Sequence, residues 1–231
     1  LNSSHKQNNQ QPTEVQARAA IVLDRLLKRY PRPTSALNWS TPWELLVATA
    51  LSAQCTDKRV NMVTPVLFAR WPDVASMAQA DPREVEKVIY STGFYKNKAK
   101  NLIHAARTIM NTFAGQVPQS MAELITLGGV ARKTANIILS NAFGIHEGIA
   151  VDTHVKRIAL RLGLTESTNP IRVEKDLMPL VPRQHWGNIN HCLVLFGRKV
   201  CKARGPLCTA CDLTDICPRI GIPSEDTSSK K

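Results

Sequence analysis

The chain has 231 residues, 43% of them hydrophobic, and a formal net charge of +12 with an isoelectric point near 9.7. That apolar content excludes a disordered chain, and no apolar run approaches the ~18 residues of a membrane span. The charge suits a polyanion, either nucleic acid or an anionic membrane surface, and its placement favours a phosphate-facing side: Lys87 to Ala122 holds five Lys/Arg and no Asp or Glu, as does Leu177 to Cys211.

Residues 1–14 are polar, are expected to be disordered, and lack the apolar core of a signal peptide. Apolar residues at 15, 19, 22, 23, 26, 27 and 30 mark a helix from Val15 to Tyr30, ended by Pro31 and Pro33. Thr41-Pro42-Trp43-Glu44 reads as an N-cap, a first helical position and a capping box, opening a helix that runs to about Gln54. Further helices are predicted over roughly 57–71, 82–90, 96–113, 120–127, 131–143, 153–162, 170–180 and 185–199. Asp81-Pro82, Gly115 and Gly163 punctuate them. β-branched alternation is scarce, so the chain reads as all-α with short connections. Residues 220–231 are polar and expected to form a flexible tail.

The six cysteines, without a secretion signal, point to a reducing compartment and to metal or cluster binding rather than disulfides. Cys201, Cys208, Cys211 and Cys217 form C-x6-C-x2-C-x5-C within 17 residues. Structural zinc usually takes two close pairs, and only one C-x2-C is present. The looser spacing favours a [4Fe–4S] cluster, which takes four thiolates at its corners, with zinc as the alternative. Cys55 and Cys192 read as small buried hydrophobes in apolar helices.

Between two predicted helices lies LGGVARK, residues 127–133. Gly128-Gly129 can take backbone angles closed to other residues, and a short turn of this kind leaves N–H groups at the next helix start free for a phosphate. With the basic charge, that suggests gripping of a DNA or RNA backbone; an ordinary helix–turn–helix connection is the alternative. Lys133 falls in the first helical turn beside Arg132, where the positive end of the helix dipole disfavours added positive charge. A nucleophilic amine suits that position, as does a phosphate-binding ammonium. Asp152 precedes Thr153-His154 at another predicted helix start, the place of an N-cap.

LGGVARKTA resembles the helix–hairpin–helix of the endonuclease III DNA glycosylases, AVDTHVKR their catalytic aspartate segment, C-x6-C-x2-C-x5-C their iron–sulfur loop, and LSAQCTD (51–57) a further family segment. The similarity runs from about Trp43 to Cys217. It implies a two-lobed all-helical fold: a six-helix barrel with the hairpin over 36–147, and a [4Fe–4S] lobe built from 15–35 plus 148–219, with the active site in the cleft between. It implies a monomer working on double-stranded DNA with a damaged base or an abasic site, in the cytoplasm, or at the nucleoid if the source is bacterial, with no membrane. The implied enzyme is a DNA glycosylase and abasic-site lyase that excises oxidised pyrimidines. Lys133 would be the nucleophile, Asp152 would stabilise charge on the sugar, and the four cysteines would hold the cluster. Gln54 matches the residue that fills the gap left by a flipped base, Phe94 stands where the family commonly has a wedging Leu, and His154 aligns with a residue near the DNA backbone. Gly129, Ala131 and Arg132 belong to the phosphate-gripping hairpin. The hairpin departs from the family's usual Leu-Pro-Gly-Val-Gly at Gly128 and Ala131. The competing readings are a relative that is mainly an abasic-site lyase, a non-catalytic DNA-binding iron–sulfur protein, and an electron-transfer protein.

Overall fold

The computed structural model describes residues 13–223. Eleven α-helices and three short 3-10 turns account for the regular structure, with no strand among the described residues. The all-α expectation holds.

Helix α1, Glu14–Arg29, opens on Thr13, which forms a capping box with Gln16 and turns Ala19, Val22, Leu23 and Leu26 inward. Thr13 is therefore an extended cap and Glu14 is helical, against the expectation of disorder. Residues 220–222 are likewise tied down, through Ile220 N–H to Arg161 O and Ile222 N–H to Arg219 O. The rest of both expected loose ends, 1–12 and 224–231, lies outside the described residues.

The first core, from Leu37 to Leu139, is enclosed by seven helices: α2 Pro42–Leu51, α3 Asp57–Arg70, α4 Val74–Ala78, α5 Pro82–Ile89, α6 Tyr95–Thr112, α7 Met121–Leu124 and α8 Arg132–Ala142. Central α2 is buried on almost every side, at Trp43, Leu45, Leu46, Val47, Ala48 and Leu51. Thr41 caps it through Glu44 N–H, but the Glu44 carboxylate accepts from Ser40 N–H at 2.6 Å rather than from Thr41, so the expected box is shifted by one residue. The helix stops at Leu51, not Gln54: the Ser52 hydroxyl bonds back to Thr49 O, and Gln54 takes φ of 53°. Cys55 therefore lies in a turn, half-buried, and not in an apolar helix. The short α4, capped by Asp73 and Ser76, adds an element to the expected barrel.

The second core joins Ala19–Leu26 of α1 to residues 149–213, with α9 Thr153–Arg161, α10 Pro170–Leu177 and α11 Trp186–Lys199. Polar ties connect the two cores. Arg132 Nε donates to Glu174 Oε2 at 2.7 Å, and Asn136 Nδ2 donates to Glu174 Oε1 at 2.8 Å. Arg198 pairs with Asp57 at 2.7 Å, and His191 Nε2 lies 2.8 Å from Asn141 Oδ1. The crossing point at Gly148 is tight: a Cβ there would sit 2.0 Å from Glu174 Oε1. These contacts fix the width of the groove between the lobes.

Candidate active site

The groove is a cleft open to solvent, with α2, α3 and α8 on one wall and α9 and α11 on the other. Lys133, Asp152, Gln54 and His154 line it together. Phe94, Gln54 and Gly129 line a smaller neighbouring pocket. Ala131 and Arg132 border neither, and the four-cysteine loop is a separate site.

Each side chain is placed by local chemistry. Val130 N–H closes the hairpin on Leu127 O, and Gly129 takes φ of +77°, where a Cβ would strike the Asn101 amide at 2.8 Å. Gly128 does not use left-handed angles; its missing side chain leaves room for His104, whose Nδ1 would lie 2.8 Å from a Cβ. Most helices here start on a Ser, Thr, Asp or Asn cap, but α8 starts on Ala131, which makes no capping bond. Its first N–H groups thus keep donors for an anion. Arg132 turns away to Glu174, a hydrogen bond that raises its pKa and shares out the charge expected beside Lys133. Lys133 is exposed and pairs with no carboxylate among the described residues.

Across the cleft, Asp152 caps α9. Its Oδ1 alone accepts both His154 N–H and Val155 N–H, each at 2.8 Å, so the second oxygen is left for the cleft. The preceding Ile149–Val151 segment is buried and held by Asn190 Nδ2, which donates to Ala150 O at 2.6 Å. Sequence reading missed Asn190, because its partner lies 40 residues away on another element. His154 is half-buried rather than a surface side chain. Burial, opposed by Asp152 and assisted by Arg157 and Arg198, lowers its pKa, and Nδ1 accepts from Arg157 Nη2 at 3.2 Å. The proton of the neutral ring then sits on Nε2.

Helix α9 runs from Asp152 to the cysteine loop. Arg157 donates to Gly197 O and Cys201 O, and Arg161 to Cys201 Sγ at 3.3 Å, Lys202 O at 2.7 Å and Ala203 O at 3.1 Å. Helix α1 anchors the same loop through Arg25 with Asp215 and Arg29 with Asp212. Cys201, Cys208, Cys211 and Cys217 line one apolar pocket beside Phe196 and Leu213. Leu213 N–H points at Cys211 Sγ, 3.4 Å away. Burial, then the neighbouring thiols, pushes Cys211 and Cys217 upward. No group of three or more His, Cys, Asp or Glu among the described residues is gathered tightly enough to hold a single ion. Cys192 is fully buried and its thiol is pushed up to about 11 by burial, as suits an inert core residue.

Comparison with known proteins places this arrangement. Residues 47–183 match the profile of the HhH-GPD superfamily base excision DNA repair proteins. An endonuclease III of Synechocystis sp. is 56% identical over 201 residues, covering 87% of this chain and 92% of that one. A non-covalent endonuclease III–DNA complex superposes with a TM-score of 0.83 at 40% identity, covering 90% of this chain and 97% of the other. A trapped endonuclease III–DNA covalent intermediate gives 0.84 at the same identity and coverage.

Proposed function

Because the chain belongs to the HhH-GPD superfamily and, within it, to the endonuclease III family, we propose that Lys133 and Asp152 are the working pair of its base-excision chemistry. The enzyme class is that of a bifunctional DNA glycosylase and abasic-site lyase of base excision repair, and DNA is its partner. The observation that carries the assignment of residues is a lysine unpaired among the described residues on an uncapped helix start, facing across one cleft an aspartate whose first oxygen is already used.

A base within a duplex is out of reach and has to be turned outward. Gln54, lining the cleft, and Phe94, in the neighbouring pocket, stand exposed, suited to fill the gap and to press on the opposite strand. The α8 N-terminus and the hairpin amides of Gly129 and Ala131 grip a phosphate, with the remaining Arg132 donors beside them. The lone pair of Lys133 Nζ attacks C1′ and the base leaves with the electrons of the glycosidic bond, taking up the proton that the nitrogen gives up; the nitrogen lone pair then expels O4′ from C1′, opening the sugar to a protonated Schiff base. Removal of the C2′ proton then breaks the C3′–O bond. The free Asp152 oxygen faces the sugar and stabilises its developing positive charge. His154 supplies an Nε2 donor near the backbone. Both walls of the cleft come from one chain, so we assign it to a monomer, with lobes at 36–147 and at 15–35 plus 148–219.

The cysteine loop fits a [4Fe–4S] group: four thiols around one apolar pocket, with N–H and guanidinium donors aimed at sulfur. Cys201, Cys208, Cys211 and Cys217 would hold it, and its contribution would be to fix a loop carrying Lys202 and Arg204 beside Lys199. Arg198, at the end of α11, makes the lobe contact with Asp57.

Oxidised pyrimidines are the proposed substrates. Duplexes carrying thymine glycol, dihydrouracil or a preformed abasic site test this. Excision plus strand nicking on all three supports it; nicking of the abasic duplex alone makes the protein a lyase only.

A further inference from the structure

Lys98 on α6 is 7% exposed, yet no carboxylate pairs with it among the described residues. Its ammonium instead donates to three backbone oxygens, Leu51 O, Ala53 O and Thr92 O, each at 2.8 Å. Those bonds use all three of its donors. A buried, unpaired ammonium is costly, and burial does lower its pKa. The acceptors show what is obtained in return. Leu51 O ends α2, where a cation also complements the helix dipole. Ala53 O immediately precedes Gln54. Thr92 O lies two residues before Phe94.

Gln54 and Phe94 share an uncommon backbone. Their φ angles are 53° and 49°, in the left-handed region that non-glycine residues enter at a cost. Phe94 is 63% exposed, so its own burial does not maintain that conformation. Both tips line one pocket with Lys98 and Asn101, close to the hairpin at Gly129. One side chain therefore ties together two loops from different parts of the chain, each ending in a strained, exposed residue.

We propose that Lys98 is a positioning residue for base extrusion, cross-tying the Gln54 and Phe94 loops so that the two tips enter the duplex as one rigid unit. This rests on the assignment of Gln54 and Phe94 as duplex-probing residues. Lys98 lines the pocket shared by the two tips and not the cleft around Lys133, so its effect is on turning the nucleotide out and not on bond-breaking.

The test uses Lys98→Met in the full protein, alone and combined with Gln54→Ala/Phe94→Ala. The readouts are single-turnover excision from a thymine-glycol duplex, fluorescence of 2-aminopurine beside the lesion, and borohydride trapping on a single-stranded abasic oligonucleotide. With its fold retained by circular dichroism, Lys98→Met is expected to lose duplex excision and the 2-aminopurine signal by at least about 10-fold. Trapping on the single strand should fall by less than about 3-fold, and Lys98→Met should add less than about 3-fold to the Gln54→Ala/Phe94→Ala variant. Equal losses on duplex and single strand, or a full additional loss in the combined variant, overturn the inference. If Gln54→Ala/Phe94→Ala excises normally, the tip assignment fails and the inference with it. If that variant is impaired while Lys98→Met is normal, only the inference fails. Should Lys98→Met not fold, Lys98→Gln, which keeps two donors, is judged by the same outcomes.

Discussion

Arg132 reaches across the lobe boundary to Glu174, Nε to Oε2 at 2.7 Å, while its neighbour Lys133, in the cleft, pairs with no carboxylate among the described residues. One residue of the α8 start is thus spent on holding the lobes, and the next is left for chemistry. The Glu174 carboxylate is buried and also takes Asn136. Glu174→Ala leaves both donors without their acceptor, and a stability loss of about 2 kcal/mol is expected in urea titration. A change within error would mean that the tie contributes little.

The hairpin yields a paired prediction. At Gly128, a Cβ would crowd His104 Nδ1 and lie 3.3 Å from the Asn101 carbonyl. Gly128→Pro, the residue usual in the resembled family, is therefore expected to cost about 1–3 kcal/mol. His104→Ala should restore part of it in the double variant. If the double variant is no more stable than Gly128→Pro, His104 is not the obstacle.

Ala131 sits where the α8 amides would meet a phosphate, and its methyl makes no capping bond. Ala131→Gly is expected to tighten DNA binding a few-fold at every salt concentration. The salt slope should stay unchanged, because no ionic contact is altered. Unchanged affinity across the titration would remove the methyl as a cause of weaker gripping.

Burial holds His191 and His154 below the usual imidazole range. The unfolded chain therefore binds protons that the folded chain refuses, so stability rises with pH through this window. It is fully present above the ordinary value of 6.5 and is lost as pH falls below it toward the lowered folded values. His191→Gln, which can still donate to Asn141 Oδ1, should flatten part of the decline in urea midpoints between about pH 7.5 and 5. An unchanged decline would exclude His191 as a source.

What was legible in the sequence was what short-range chemistry decides. Thr41, Asp81 and Asp152 cap the helices whose starts they mark, because a cap involves residues two or three positions apart. Long-range bonds were not legible. The end of α2 and the left-handed turn at Gln54 are secured by Lys98, 45 to 47 residues away, so a helix pattern running to Gln54 overshot. Five residues of α4 are too few to show a period. Arg132 read as a free cation because Glu174 lies 42 positions on. Lys133 and Asp152 were found as motif residues; what the fold adds is that one cleft contains both, with Asn190 and Glu174 setting the segments that carry them.

The central claim is that the Lys133 amine forms the covalent link to DNA. The direct measurement is borohydride trapping on an abasic duplex, followed by proteolysis and mass spectrometry of the adduct. The account expects a single modified site at Lys133, no adduct in Lys133→Gln, and an adduct that forms much more slowly in Asp152→Asn. An adduct of ordinary yield in Lys133→Gln, or one mapped to another amine, would contradict it.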